Sequence, residues 1–548
     1  MLARSGHGVN GRPAQAMALP LRPAATILAV METTRNERGC HERRLGRVCL
    51  IAVLAAAACR ATSGSGDDGG FDGPPPDVPL PTGTACSETV DPVPVTAPDQ
   101  RVGDGTPEGC TEAALRTAIE ALNAGGGGSL AFDCGPAETT ITLTAELFLD
   151  APIVIDGGEL VTLSGGDAVR ILSCDHYVDL TVQRIKLVHG RTTESGSAIH
   201  LPWFGTLRVL DATFEDNECT DVDSDIGGAI FGGGLTTFLV SRSTFVRNRA
   251  ANGGAIVNNG SNLVIADSVF VENTADGHGG SAAQGGLGGA VYIDGMHSET
   301  GPPEPFVLCG STFRGNRSNQ HGSAVFEYFY PTQTATIRRC EFADNAVLEG
   351  TGGAVYHEAA PLALLDSTFA GNTATQHAGA IFIGSDSPAT IVNCTFAGNA
   401  VPEVGAAIFS AAQDLALRNC TFAGNTADYG PAIYNEHGTV TLDNTIFANN
   451  AAAGPYNGQS CMRTMDRGAN NLQWPATRPN GTNDTPCTDG IPFADPMLGP
   501  LSDNGGPTRT MAPAAGSPAL GAGANCPDTD QRGEPRGATC DLGAVETP

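Results

Sequence analysis

Through most of this chain apolar and polar residues alternate with a period of two, in short runs bounded by glycine, serine, asparagine and aspartate. Asn262-Leu-Val-Ile-Ala266 and Asp414-Leu-Ala-Leu-Arg418 are representative. Such alternation predicts short, half-buried β-strands, and no window among these runs carries apolar residues at helical spacing. Glycine punctuates the pattern every ten residues or so, marking turns.

Two phrases recur in step with the strands. The first is Phe-x-x-Asn, with phenylalanine at Phe214, Phe245, Phe270, Phe313, Phe342, Phe369, Phe396, Phe422 and Phe447. Its asparagines are Asn217, Asn248, Asn273, Asn316, Asn345, Asn372, Asn399, Asn425 and Asn450. Gly-Gly-Ala-(Ile/Val), or a near copy, is centred on Ala229, Ala255, Ala290, Ala324, Ala354, Ala380, Ala407 and Ala432, with a weaker start at Ala198. From Phe342 onward the phenylalanines stand 27, 27, 26 and 25 residues apart. A period this short and regular predicts a solenoid in which each unit packs only on its neighbours. One unit holds three short strands and three turns, and units stacked roughly 4.8 Å apart make nine of them a rod on the order of 40 Å long.

Each recurring residue has a physical task in such a coil. Equivalent phenylalanines stack through the interior, and the asparagine falls at a bend, passing amide hydrogen bonds from coil to coil. Paired glycines relieve the next corner, and the β-branched residue after alanine suits an inward strand position. The Leu-x-x-Leu-x-Leu framework of leucine-rich repeats is missing, and propeller blades are longer. The fold expected is all-β: a right-handed parallel β-helix with a short N-terminal capping helix and an irregular C-terminal cap.

The helix falls at Thr111-Glu-Ala-Ala-Leu-Arg-Thr-Ala-Ile-Glu-Ala-Leu122, the one good amphipathic stretch, capped by Thr111 and ended by the glycines at 125–128. It is expected to cover the open first coil, whose strand edges would otherwise pair with another chain. Residues 141–149 and 152–157 read as the first coils. Phe270 to Phe313 spans 43 residues, and the extra length lies in 277–288 and 294–305, insertions expected at turns. The chain divides into a signal region (1–58), a Ser/Gly/Asp/Pro-rich tether (59–100), the repeats (101–460) and a C-terminal region (461–548).

The alternation of Gly-Gly-Ala-Ile with Phe-x-x-Asn over about Ser195 to Asn450 resembles the polymorphic outer-membrane protein repeats of surface-displayed adhesins. That resemblance implies an exported rod, although no train of alternating ten-residue strands for a membrane barrel follows the repeats. Around 110–122 the chain is similar to the amino-terminal module of bacterial β-helix proteins. Asp503-Asn-Gly-Gly-Pro507, Asp530-Gln-Arg-Gly533, Arg536 and Cys540-Asp-Leu-Gly-Ala-Val-Glu546 resemble the choice-of-anchor Q region that follows bacterial surface β-helices.

Arg43, Arg44 and Arg47 precede an apolar run from Val48 to Ala58, too short to span a membrane and of the form of a secretory signal, with Met31 an alternative start. Leu54-Ala-Ala-Ala-Ala-Cys59 resembles a bacterial lipoprotein box, which implies lipidation of Cys59 and a membrane partner through that anchor; a plain signal peptide is the rival. The location expected is extracytoplasmic, as an outer-membrane surface lipoprotein or a secreted protein. The formal charge is −29, and about −34 without residues 1–58, with Lys186 the only lysine. A chain this acidic repels phosphate backbones, so nucleic acid is not an expected partner.

Thirteen cysteines follow Cys59, which favours disulfides in an exported chain and leaves at least one unpaired. Cys461 with Cys487 and Cys526 with Cys540 are local pairs. Cys394 and Cys420 stand two residues before repeat phenylalanines, on adjacent coils, within bridging reach if their side chains face alike. Asp221, Asp223 and Asp225 are a weak calcium site, lacking the glycine and glutamate of a helix-loop-helix loop, and a solvated acidic turn is the rival; no other cofactor is implied. Gly277-His278-Gly279 and Arg184-Ile-Lys186 are similar to polygalacturonase phrases, but in reversed order and without their carboxylate partners. After the repeat Ile/Val comes an aromatic residue: Phe231, Tyr292, Phe326, Tyr356, Phe382, Phe409 and Tyr434. These form either an outward stripe for carbohydrate or protein, or packing beneath turns. The leading expectation is a non-catalytic, adhesin-like surface protein. A polysaccharide lyase or glycoside hydrolase and an inert spacer are the alternatives.

Overall fold

The computed structural model describes residues 86–221, 227–279, 284–296, 305–330, 332–385, 387–454 and 457–547. Cys59, Asp223 and Asp225, and with them the lipid-anchor expectation and most of the calcium expectation, lie outside the described residues.

The chain is a right-handed parallel β-helix. Three sheets run its length: sheet 1 with fourteen strands from Gln100–Val102 to Arg467–Ala469, sheet 2 with thirteen from Thr139–Thr142 to Leu472–Trp474, and sheet 3 with eleven from Leu147–Leu149 to Ile433–Asn435. A coil visits sheet 1, sheet 2 and sheet 3 in turn, and pairing between coils is parallel. Thirteen such windings make a rod of about 60 Å at the usual strand spacing. Three strands per coil were expected. A fourth ladder of two-residue strands, Arg191–Thr192 to Ala346–Val347, follows the asparagine bend because residues beyond a bend repeated in register also meet their counterparts.

The nine repeat phenylalanines form one interior file, each fully buried. Adjacent rings stack at 4.5–5.3 Å, including Phe369–Phe396 at 5.1 Å and Phe396–Phe422 at 4.8 Å. Beside them runs the asparagine ladder. Asn399 Oδ1 accepts from the backbone N and the Nδ2 of Asn372, at 3.0 and 2.9 Å, while Asn399 Nδ2 donates to Phe369 O at 3.0 Å. On the next coil Asn425 repeats this: its Oδ1 accepts from Asn399 N and Nδ2, at 3.0 and 2.9 Å, and its Nδ2 donates to Phe396 O at 3.0 Å. Asn425 N and Nδ2 then donate to Asn450 Oδ1, at 3.0 and 2.9 Å. Asn425 is fully buried, so its place is structural, as expected for the repeat. The same bonds join Asn217 to Asn248, Asn248 to Asn273, Asn273 to Asn316 and Asn316 to Asn345. The Gly-Gly corner is sterically obligatory: at Gly288 (φ 65°) a Cβ would stand 2.2 Å from Val291 O.

The N-terminal helix, α1 (Glu112–Gly125), begins at Thr111, whose hydroxyl accepts from Ala114 N, and ends at left-handed Gly126. Leu115, Ala118, Ile119 and Leu122 face the first coil and close the core. At the far end Cys461, Met465, Cys487 and Ile491 seal it, with Phe493 packed against them.

The tether was expected to reach residue 100; instead residues 86–99 lie along the corner between sheets 1 and 2. Val90 N donates to Ser241 Oγ at 3.1 Å, Val93 exchanges two bonds with the Gln183 amide, and Asp99 accepts from Ser129 N. Composition marks this stretch as linker, but its backbone groups find side chains on the rod. The C-terminal region does more than cap. Beyond residue 500 it doubles back along the same corner, where Gln531 bonds Thr368, Thr395 and Thr508 within 2.8 Å, and Arg509 pairs with Glu341 at 2.6 Å. Buried Arg536 reaches Glu546, Asn393 and the Gly543 carbonyl.

Four disulfides are present among the described residues: Cys86–Cys309, Cys110–Cys134, Cys461–Cys487 and Cys526–Cys540. The expected Cys394–Cys420 bridge is absent, and both thiols are free and fully buried. In-register parallel neighbours hold equivalent side chains roughly 4.8 Å apart, wider than the Cβ separation of about 3.8 Å that a disulfide needs. Each thiol instead meets a carbonyl two residues earlier, Val392 O at 3.2 Å and Arg418 O at 3.4 Å. Burial pushes the Cys420 thiol up to about 12.

Replacing Asn399 with alanine strands the amide groups of Asn372 and the carbonyl of Phe369 in the core. We expect a loss of at least about 3 kcal/mol in urea unfolding, whereas Gln413, exposed outside the ladder, tolerates alanine within about 0.5 kcal/mol. Asp366, beneath the C-terminal region, is held by burial at a pKa of about 6 against an ordinary 3.8. The folded chain therefore binds this proton more tightly than the unfolded chain, and the stabilisation is lost as pH rises from about 4 through 6. Asp366→Asn should raise the melting temperature at pH 7 and leave it unchanged below pH 4.

Candidate functional site

Because Ile230, Ile256, Val291, Val325, Val355, Ile381, Ile408 and Ile433 fill the core at 0 % exposure, the residue after each points outward from sheet 3. Strand pairing sets His200, Phe231, Val257, Tyr292, Phe326, Tyr356, Phe382, Phe409 and Tyr434 in one column. From Tyr292 to Tyr434 the rings stack at 4.5–5.5 Å with planes within 19°. Outward direction does not mean exposure here. Tyr292, Phe326 and Phe409 are 5, 9 and 7 % exposed, and the other repeat aromatics are half-buried. Each ring covers its neighbour's face, and His321 and His377 stand against Tyr356 and Phe409 as a side wall. Burial keeps His321 below the usual imidazole range. The ladder thus offers ring edges, with no flat face between rungs for a sugar.

The chemically distinctive groups stand at the margin of this face, where sheet 3 turns toward sheet 1. Register places Asp294, Tyr328 and Glu358 in successive coils. The Tyr330 hydroxyl donates to Asp294 Oδ1 at 2.9 Å, and Tyr356 donates to Glu358 Oε2 at 3.1 Å. Tyr328 and Tyr330 meet edge to face at 5.7 Å, and Tyr330 is half-exposed. Burial raises the Asp294 carboxyl above the usual carboxylate range, eased by the Tyr330 bond, and raises the Tyr330 hydroxyl as well. None of this was singled out from the sequence, since Asp294 and Tyr330 are 36 residues apart and meet only when coils stack.

Just inside, Glu327 and His357 project into the core at 0 % exposure. His357 Nδ1 lies 2.7 Å from Glu327 Oε2, and Nε2 lies 2.8 Å from Ala360 O. Nε2 thus faces a carbonyl and Nδ1 a carboxylate, so both ring nitrogens are engaged. Glu327 Oε1 has no hydrogen-bond partner among the described residues.

The two polygalacturonase-like phrases have separate partners, and of the calcium candidates only Asp221 is described. Arg184 pairs with Asp156 and Lys186 with Glu138, whereas His278 contacts Asn319 and Gln320 on other coils. Asp221 is exposed. A shallow groove of about 400 Å³ crosses the outer face of sheet 1, lined by small residues such as Thr336, Ala363, Thr390 and Ala416, with Asp414 its one carboxylate. Among the described residues no helix is long and apolar enough to cross a membrane.

Known proteins resemble this chain chiefly in architecture. The family model described as "right handed beta helix region" matches residues 309–466. No curated protein sequence matches. Two solved structures are similar: PfbA, a surface adhesin of Streptococcus pneumoniae (12 % identity, TM-score 0.35, covering 66 % of this chain and 91 % of that one), and the A-module of the Azotobacter vinelandii mannuronan C-5 epimerase AlgE6 (14 %, 0.30, 69 % and 100 %).

His357→Leu leaves Glu327 as a lone buried carboxyl, and unfolding experiments should show a loss of about 3–5 kcal/mol. Replacing Glu327 and His357 together by leucine should restore most of it.

Proposed function

We propose that this is an exported β-helical rod, held at a bacterial surface through a lipid on Cys59, with an adhesin-like role. Four disulfides among the described residues support export, because such bonds persist in oxidising compartments. The observation that carries the adhesive reading is the Asp294–Tyr330 margin. Tyrosine hydroxyls and carboxylates stand there outside a core spent on structure. Amphipathic rings next to hydrogen-bonding carboxylates suit contact with a surface glycan or protein.

A polysaccharide-active enzyme is the second reading. It draws on the raised Asp294 carboxyl, which suits a general acid, with Glu358 two coils away. Both readings are tested together. The full chain should adhere to envelope or host-cell surfaces, with Tyr330→Ala lowering affinity about tenfold, or roughly 1.4 kcal/mol. Release of reducing ends from polysaccharide, abolished by Asp294→Asn, would replace the adhesive reading with the enzymatic one.

A further inference from the structure

The turn from sheet 3 to sheet 1 carries a left-handed residue in successive coils. In three of them it is glycine: Gly234 (φ 55°), Gly260 (φ 73°) and Gly295 (φ 71°). In the two coils before these the conformation is held by Tyr177 (φ 66°) and Phe204 (φ 64°). Backbone bonds keep the turns in line, from Tyr177 N to Trp203 O, Phe204 N to Gly234 O, Gly234 N to Asn259 O and Gly260 N to Asp294 O. Bulky side chains resist this region, where glycine sits freely. Left-handed non-glycine residues recur at other turns of the solenoid, with Ala359 (φ 68°) at this same one, but Tyr177 and Phe204 are the phenylalanine or tyrosine residues so held among those described.

The core does not use these rings. Tyr177 is 71 % exposed, Trp203 40 % and Phe204 36 %. Tyr177 and Phe204 stack at 5.2 Å and so close one face of each ring, but Tyr177 ends this stack among the described residues and at 71 % exposure keeps its other face open; Trp203 meets Phe204 at 6.1 Å, tilted by 42°. Trp203 lies across Gly234, where a Cβ would stand 2.6 Å from the indole. The next coil thus leaves room for the aromatic group. Asp175, His176 and Asp179 flank Tyr177 in the sequence and are exposed.

We propose that Tyr177, Trp203 and Phe204 form a binding site for a neutral pyranose unit of a glycan. Aromatic faces pair with the apolar C–H face of a sugar ring, and neighbouring carboxylates accept from its hydroxyls. Asp175 and Asp179 repel an acidic sugar. Size separates a sugar from a protein partner. The exposed aromatic area is on the order of 300 Å², whereas a stable protein interface needs about 800 Å² per partner. The site rests on the adhesive reading and names its ligand class, at a place four coils from Tyr330.

The test titrates the full chain with cellotetraose and chitotetraose as neutral probes and a galacturonate tetramer as the acidic one, followed by calorimetry. The neutral tetramers should bind, and Tyr177→Gly and Trp203→Ala should each weaken them at least tenfold. Tyr177→Gly should melt no lower than the parent, because glycine accepts that backbone conformation. Unchanged binding in both variants, preference for the acidic tetramer, or a lower melting temperature of Tyr177→Gly with binding retained would each overturn the proposal. Loss of cell adhesion in Tyr330→Ala but not in Tyr177→Gly, without binding of the neutral tetramers, sinks this site and leaves the adhesive reading standing. Adhesion to deglycosylated cells that depends on Tyr177 would make it a protein site and overturn the sugar assignment. A full chain that binds neither tetramer nor cells overturns both.

Discussion

The buried asparagine amide sets the terms for the rest of the molecule. Inside a fully enclosed column each Oδ1 and Nδ2 can be satisfied only by the coils on either side, so no coil can shift in register without stranding polar groups. The phenylalanine file beside it adds apolar burial but little directional constraint. Together they make the axial position of every other residue predictable. The segment between Phe270 and Phe313 shows how firm this is. Despite the extra residues, those two rings lie 4.5 Å apart with parallel planes. The extra residues leave the ring file undisturbed.

Outside this frame the molecule treats its corners differently. The corner between sheets 1 and 2 is covered along much of its length, first by residues 86–99 and then by the returning C-terminal region. Glu88 pairs with Arg338, and Arg509 with Glu341 in the same coil, so the two coverings meet there. Gln531, Arg536 and Glu546 of the Asp530-to-Glu546 motif act as structural staples there, Gln531 and Arg536 on the rod and Glu546 on Asp530. Among the described residues, the turns between sheets 3 and 1 carry exposed aromatic groups, Tyr177, Trp203 and Tyr330 among them.

What could be read from the sequence follows from the same geometry. Phe369, Asn399, Asn425 and Ile408 were legible because a column in space is a period in sequence. The fourth ladder was not, since a two-residue strand such as Arg249–Ala250 carries no alternation. Outward direction could be inferred for Phe326 or Phe409, but not their burial, which comes from rings stacked on rings. Cys86 and Cys309, 223 residues apart, share no periodic position, so nothing local marks them as partners. The left-handed backbone of Tyr177 and Phe204 is likewise silent in the sequence, because the glycines that reveal the pattern belong to other coils.

The Cys86–Cys309 bond also decides how the rod bears tension. A pull on the chain ahead of residue 86 passes through a covalent link straight into a winding near the middle of the solenoid. The helix at its tip and the earliest windings lie off that load path, so tension applied ahead of residue 86 reaches the middle of the rod without peeling the first coils away.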